Sequence, residues 1–123
     1  MSATAEGDRF TVEVGHVPGA TVLTLVGELD HDTAQPLREA LGAVQAEDGE
    51  RLLVDFSGVA FCDSTGLNVL LQGRQEAERA GTTIEVVGLR RPVERMFRIT
   101  GVDEIFTVHA DVTAALAGRP QHH

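Results

Sequence analysis

What most constrains this chain is that its hydrophobic period changes again and again along its length. FTVEV, after Arg9, alternates apolar and polar residues, and ATVLTLVGEL alternates again after the turn signal Pro18-Gly19, so the two runs read as a β-hairpin. At Asp32 the period lengthens: Leu37, Ala40, Leu41 and Val44 follow the i, i+3, i+4, i+7 spacing of an amphipathic helix. Asp32 with Gln35 resembles a capping box there, and Pro36 falls in the first turn, where a missing N–H does little harm. Leu52, Leu53, Val54 and Phe56 then form an apolar run with little alternation, as expected of a central strand covered on both faces.

The switching continues to the end. Leu67, Leu70, Leu71 and Ala77 make a second helical stripe stopped by Gly81, and TTIEVVGL reads as a strand. Pro92 opens a third helix whose apolar face is Val93, Met96, Phe97 and Thr100 and whose stop is Gly101. IFTVH gives a last short strand, and Asp111 caps a final helix through Val112, Ala115 and Leu116. The order is β β α β α β α β α. Strands joined through helices need crossover connections, which give a mainly parallel sheet; the hairpin adds an antiparallel element. The expected architecture is therefore α/β, with a mixed sheet and about four helices. At 123 residues it is one domain. Residues 1–8 read as a flexible N-terminus, 9–117 as the domain and 118–123 as a flexible tail.

Charge and cysteine usage exclude several functions. Acidic residues outnumber basic ones by 19 to 10, for a net charge of −9, and every basic residue among the ten is Arg. Nucleic-acid and anionic-membrane binding both need a basic face, so neither is expected, and a basic protein partner is. The single cysteine cannot form an internal disulfide, the N-terminus has no signal-peptide pattern, and no apolar run approaches a spanning helix. These features suggest a soluble, reduced, cytoplasmic protein. No P-loop, no lysine and no G-x-S-x-G elbow is present, which argues against a small nucleotide-binding protein or hydrolase. The histidines show no metal-ligand spacing around Asp30, His31 and Asp32, so no metal site and no cofactor are expected.

The polar cluster FCDSTGL, at a strand-to-helix junction, carries the functional question. With Asp63 as N-cap, Cys62 and Leu67 occupy the two positions that pack as a hydrophobic staple; with Ser64 as cap those positions would be Asp63 and Asn68, which cannot. Asp63 is thus the expected cap, and Ser64, at the first helical position, has a free hydroxyl beside N–H groups and a dipole that favour an anion. Gly66 would leave room for a partner's backbone to approach. Local chemistry alone is met by a cap and turn. Cys62 reads as a small buried apolar side chain. Asp55 would either hydrogen-bond the next loop or reach solvent, and Arg90, Arg91, Arg95 and Arg98 read as the solvated side of the third helix.

The runs GELDHDTAQPL, FSGVAFCDSTGLNVLL and GLRRPVERMFRITGVDEIFTVHADVTAAL together resemble the STAS family of anti-sigma factor antagonists, over about Phe10 to Leu116. The element order agrees with that family's fold. The resemblance implies that Ser64 is phosphorylated by an anti-sigma factor, a serine kinase of the histidine-kinase-like ATPase class. It further implies that the unmodified protein binds this kinase and releases a sigma factor, and that a metal-dependent serine phosphatase resets the cycle. The chain would be a substrate and binding module, not an enzyme, and a monomer or weak dimer. Partner contacts implied in this way are Asp30, His31, Thr33, Asp63, Ser64, Thr65, Gly66 and Asn68, with Thr65 ranking below Ser64 as a phosphate acceptor. Many relatives carry Gly where this chain has Asn68 and Met where it has Cys62. A scaffold or regulatory STAS module, in a signalling assembly or for a transporter, is the alternative.

Overall fold

The computed structural model describes residues 2–4, 9–44 and 51–118. Its strands are β1 (Ser2–Thr4), β2 (Phe10–Val17), β3 (Ala20–Leu29), β4 (Arg51–Cys62), β5 (Thr83–Val87) and β6 (Val108–His109), and its helices α1 (Gln35–Val44), α2 (Ser64–Arg79), α3 (Arg91–Thr100) and α4 (Val112–Ala117). The strands lie in one sheet in chain order. β1 to β3 pair antiparallel, and β3 to β6 pair parallel. The α/β reading, with its hairpin, its mainly parallel sheet and its four helices, matches this arrangement.

Three boundaries differ from expectation. Ser2–Thr4 form an edge strand paired to Thr11–Glu13, where a frayed end was expected, and Gly118, expected in the tail, is hydrogen-bonded to Ala114 and Arg51; the remaining expected flexible residues, 1, 5–8 and 119–123, lie outside the described ones. Helix α1 starts at Gln35, with the Arg38 N–H donating to Ala34 O (3.0 Å), so Asp32 is not its cap. The capping-box reading fails because residues 30–33 form their own turn. The last strand is only Val108–His109, since Val102–Glu104 form a 3-10 turn that carries Phe106 into the core.

Successive parallel strands wound in one sense place every crossover helix on the same face. Leu37 and Leu41 of α1, Leu67 and Leu70 of α2, and Val93 and Phe97 of α3 all bury against Leu23, Leu25, Leu52, Val54 and Phe56. Phe56 and Phe97 meet edge to face, with centroids 5.7 Å apart, and so fix α3 on β4. Helix α4 follows the last strand rather than crossing between two, and it packs Ala115 on the opposite face over Ala20, Val22, Leu53 and Val87. The central strand is thus covered on both faces only in its first half. From Asp55 onward its far face is open, and Asp55 itself accepts a hydrogen bond from the Ser57 N–H (2.9 Å).

Beside α4 the far face holds a buried ionic cluster that sequence reading did not find. The Glu85 carboxylate receives Nε and Nη2 of Arg51 (2.8 and 2.7 Å), Nε2 of His109 (2.7 Å) and the Thr83 hydroxyl (3.2 Å). Arg51 Nη1 also donates to Gly118 O (3.3 Å), tying the end of α4 to β4. Burial pushes the Glu85 carboxyl up, but the hydrogen bonds from Arg51 and His109 outweigh it, and the group sits below its ordinary value. A carboxylate depressed in this way stabilises the fold above its unfolded value of about 4.3, and that contribution is lost as pH falls through the folded value. Glu85→Gln should therefore cost about 3 kcal/mol at neutral pH by leaving Arg51 without its counter-charge. The variant's urea midpoint should also fall less than the wild type's between pH 6 and pH 3.

Candidate functional site

The site is made where β3 and β4 end side by side. Their parallel pairing runs out to Leu29 opposite Cys62, and the Asp63 N–H then donates to Leu29 O (3.1 Å), so the loops that follow the two strands start in contact. Upstream, Gly27 makes this possible. Its φ is 118°, and a Cβ there would lie 2.0 Å from Arg9 O, so only glycine lets β2 and β3 approach at this point. The loop after β3 is held by its own residues. Asp30 Oδ1 accepts from the N–H groups of Asp32 (2.9 Å) and Thr33 (3.1 Å), while Thr33 Oγ1 accepts from Asp30 N–H (2.8 Å) and donates to Glu28 O (2.7 Å).

Asp63 is the N-cap of α2, as the staple arithmetic required. Its Oδ1 accepts from the N–H groups of Thr65 (2.9 Å) and Gly66 (3.2 Å), and Cys62 and Leu67 are both buried. Burial pushes the Cys62 thiol up to about 12, with the Asp63 charge adding to the shift, so it is held as an inert apolar side chain. The second carboxylate oxygen of Asp63 has another task. Oδ2 accepts from the His31 N–H (3.2 Å), so a single side chain caps α2 and binds the neighbouring loop.

Ser64 follows at the first helical position, exposed, and its hydroxyl makes no hydrogen bond among the described residues. Asn68 lies one turn further on and is also exposed, on the same side of the helix. His31 and Asp32 are exposed on the adjoining loop, and Asp30 and Thr65 are partly so. These residues form one continuous surface. The group is acidic, with Arg9 the nearby cation at 4.0 Å from the carboxylates of both Asp30 and Asp32. Among the described residues no group of histidine, cysteine or carboxylate side chains is arranged to hold a metal ion.

Three expectations for the site are revised. The first-turn N–H groups of Thr65 and Gly66 are engaged by Asp63, so the helix start is less open to an anion than its sequence suggested. Gly66 offers no room to a partner: it is buried, and a Cβ would stand 2.7 Å from Leu29 Cγ and 2.9 Å from Cys62 Sγ. It is glycine because α2 lies directly on the end of β3. Thr33 is fully buried, so it shapes the loop rather than touching a partner. Leu29 and Arg9 were missed. Leu29 had a visible signal, the last apolar residue before the polar run, whereas Arg9 reaches the loop only through tertiary pairing. Arg90, the N-cap of α3, and Arg91, Arg95 and Arg98 along it are exposed, as a solvated face requires.

The comparisons with known proteins agree with this geometry. Residues 4–109 match the family described as "Mlab, STAS domain". The anti-sigma-F factor antagonist RsfB of Mycobacterium tuberculosis is 34% identical over 113 residues, covering 90% of each chain. A crystal structure of an anti-sigma factor antagonist from Mycobacterium paratuberculosis superposes with a TM-score of 0.82 at 30% identity, over 92% of this chain and 96% of that one. SpoIIAA shares the fold in its unphosphorylated form, with a TM-score of 0.73 at 20% identity over 85% of this chain and 92% of that one. Its phosphorylated form gives 0.66 at 18% identity over 86% and 96%. The chain belongs to the STAS-domain family of anti-sigma factor antagonists.

The double role of Asp63 separates two variants. Asp63→Ala should lower stability by about 1–2 kcal/mol, within the range for a lost N-cap. It should also speed amide exchange at His31, across the strand gap. Asp63→Asn keeps an acceptor oxygen and should retain most of the stability, and hydrogen exchange followed by NMR reads both effects.

Proposed function

We propose that the unphosphorylated chain binds an anti-sigma factor serine kinase of the histidine-kinase-like ATPase class and so releases a sigma factor, and that phosphorylation of Ser64 ends this binding. In the transfer the Ser64 Oγ attacks the γ-phosphorus of the kinase's ATP, the bond to ADP breaks and the hydroxyl proton is released. A serine phosphatase returns the hydroxyl by hydrolysis. The chain acts in the cytoplasm as substrate and switch rather than as enzyme.

The observation that carries this reading is the division of labour at the start of α2. Asp63 supplies the cap, which leaves the Ser64 hydroxyl exposed and without an internal partner. A serine needed for capping could not be modified without loosening its helix, and this one can. Phosphate adds about −1.5 to −2 charges at neutral pH. It would stand beside Asp63 and near Asp30 and Asp32, on a surface already acidic. Closed against a partner that seats a neutral hydroxyl, the phosphate would be stripped of water with no counter-charge opposite it, at a cost of several kcal/mol; since about 1.4 kcal/mol is tenfold in affinity, a local charge suffices without refolding the domain. The surface offered to the kinase comprises Asp30, His31, Asp63, Ser64, Thr65 and Asn68.

With the cognate kinase and ATP, intact-mass spectrometry should show one added phosphate on the wild type and on Thr65→Val, and none on Ser64→Ala. Ser64→Asp should bind the kinase at least ~100-fold more weakly by calorimetry, since a buried charge without a partner costs several kcal/mol. A Ser64→Ala chain that takes up the same phosphate would sink the reading.

A further inference from the structure

We propose that the uncovered half of the sheet's far face, centred on Val26 and Phe61, is a second part of the partner-binding surface, and that it takes a basic protein surface bearing an apolar side chain. The inference rests on the preceding reading for the identity of the partner, the anti-sigma factor kinase, and extends the contact away from α2 to the opposite face of the sheet.

Helix α4 has six residues, about 9 Å of length, and roofs only Ala20, Val22, Leu53 and Val87. Beyond it, Val26 is 50% exposed and Phe61 48% exposed. Both point away from the core. Leu25 and Leu29 are buried, so Val26 and Glu28 between them face outward, and Phe61 pairs directly with Glu28. Val26 stands two residues before Glu28 on the same face of β3, so it and Phe61 share the outward face at this end of the sheet. Gly58, the residue opposite Val26, has no side chain to shield it. Two irregularities in β4 set its faces here: one lies opposite Thr24 to Val26, so that Phe56 and Val59 both face the core, and the second lies at Ala60, where Gly27 pairs with Val59 and Glu28 with Phe61, so that Phe61 faces outward and Cys62 inward.

The patch is continuous with the candidate site. Phe61 lies three residues before Ser64 on β4, and Val26 is on the strand that leads into the Asp30 loop. Its rim is acidic, with Glu13, Glu28, Asp30 and Asp32, and its cation, Arg9, already faces the last two carboxylates. Apolar anchors inside a charged rim are the usual energetic layout of a protein interface, and the sign of this rim selects a basic partner. Nucleic acid is disfavoured by the net charge of −9. The more exposed Ile99 (73%) lies elsewhere, among Arg91, Arg95 and Arg98 on α3, and provides a control of opposite surroundings.

Calorimetric titration of the cognate kinase with four chains tests the proposal: wild type, Val26→Thr with Phe61→Ala, Glu28→Lys, and Ile99→Thr. The double variant and Glu28→Lys should each bind at least fivefold more weakly, and Ile99→Thr should match the wild type. Glu28→Lys alters an exposed side chain and keeps the test valid should the double variant unfold, which circular dichroism reports. If the wild type binds and folded Val26/Phe61 and Glu28 variants stay within fivefold, or if Ile99→Thr is equally weakened, the second surface is overturned while the Ser64 reading stands. If the wild type itself does not bind, the Ser64 reading falls and takes this one with it.

Discussion

The candidate site depends on β3 and β4 staying hydrogen-bonded to their last residues. Parallel strands that ended at different heights would leave the Asp30 loop and the start of α2 several ångströms apart. Here the pairing reaches Leu29 and Cys62, and the next hydrogen bond, from the Asp63 N–H to Leu29 O, already belongs to the loops. The Asp63 carboxylate then closes the seam by taking the His31 N–H on one oxygen and the helix start on the other. Two glycines serve the same contact from opposite sides, Gly27 where β2 meets β3 and Gly66 where α2 rests on Leu29.

How much of this was legible depended on whether the signal was local. Period and punctuation carried the element order, the Pro18-Gly19 hairpin and the Gly101 stop, because alternation, turn chemistry and caps are properties of neighbouring residues. The Asp63 cap was legible for the same reason. Asp32 was misread because an Asx turn and a helix cap use the same residue types, and only the third dimension shows that Asp30 and Thr33 had already formed the former. Gly66 was misread because a small residue leaves room on either side, and here Leu29 and Cys62 fill it. The Arg51, Glu85 and His109 cluster was invisible for want of any local pattern: its members come from three strands and meet only in the sheet.

The two faces of the sheet divide the work. One holds a continuous core in which α1, α2 and α3 seat against β3 and β4, and it sets the position of Ser64 from behind. The other is a patchwork: a small apolar cluster under α4, a buried ion pair that ties the end of that helix to β4, and then bare strand. The start of α2 is therefore seated from the first face, while the second face beyond α4 stays uncovered.

The irregularity at Ala60 has a consequence for reading relatives of this protein. Phe56 and Val59 both face the core, and so do Val59 and Cys62, although three positions separate each pair, so β4 changes phase twice and the step at Ala60 restores the parity of Phe56 just before the motif. That half-step sets the direction in which Asp63 and Ser64 leave the strand. The letters DSTGL carried one residue out of phase would present the same hydroxyl to a different side of the molecule, with Asp63 aimed away from His31. Where the Ser64 hydroxyl emerges is written in the strand that precedes it as much as in the motif itself.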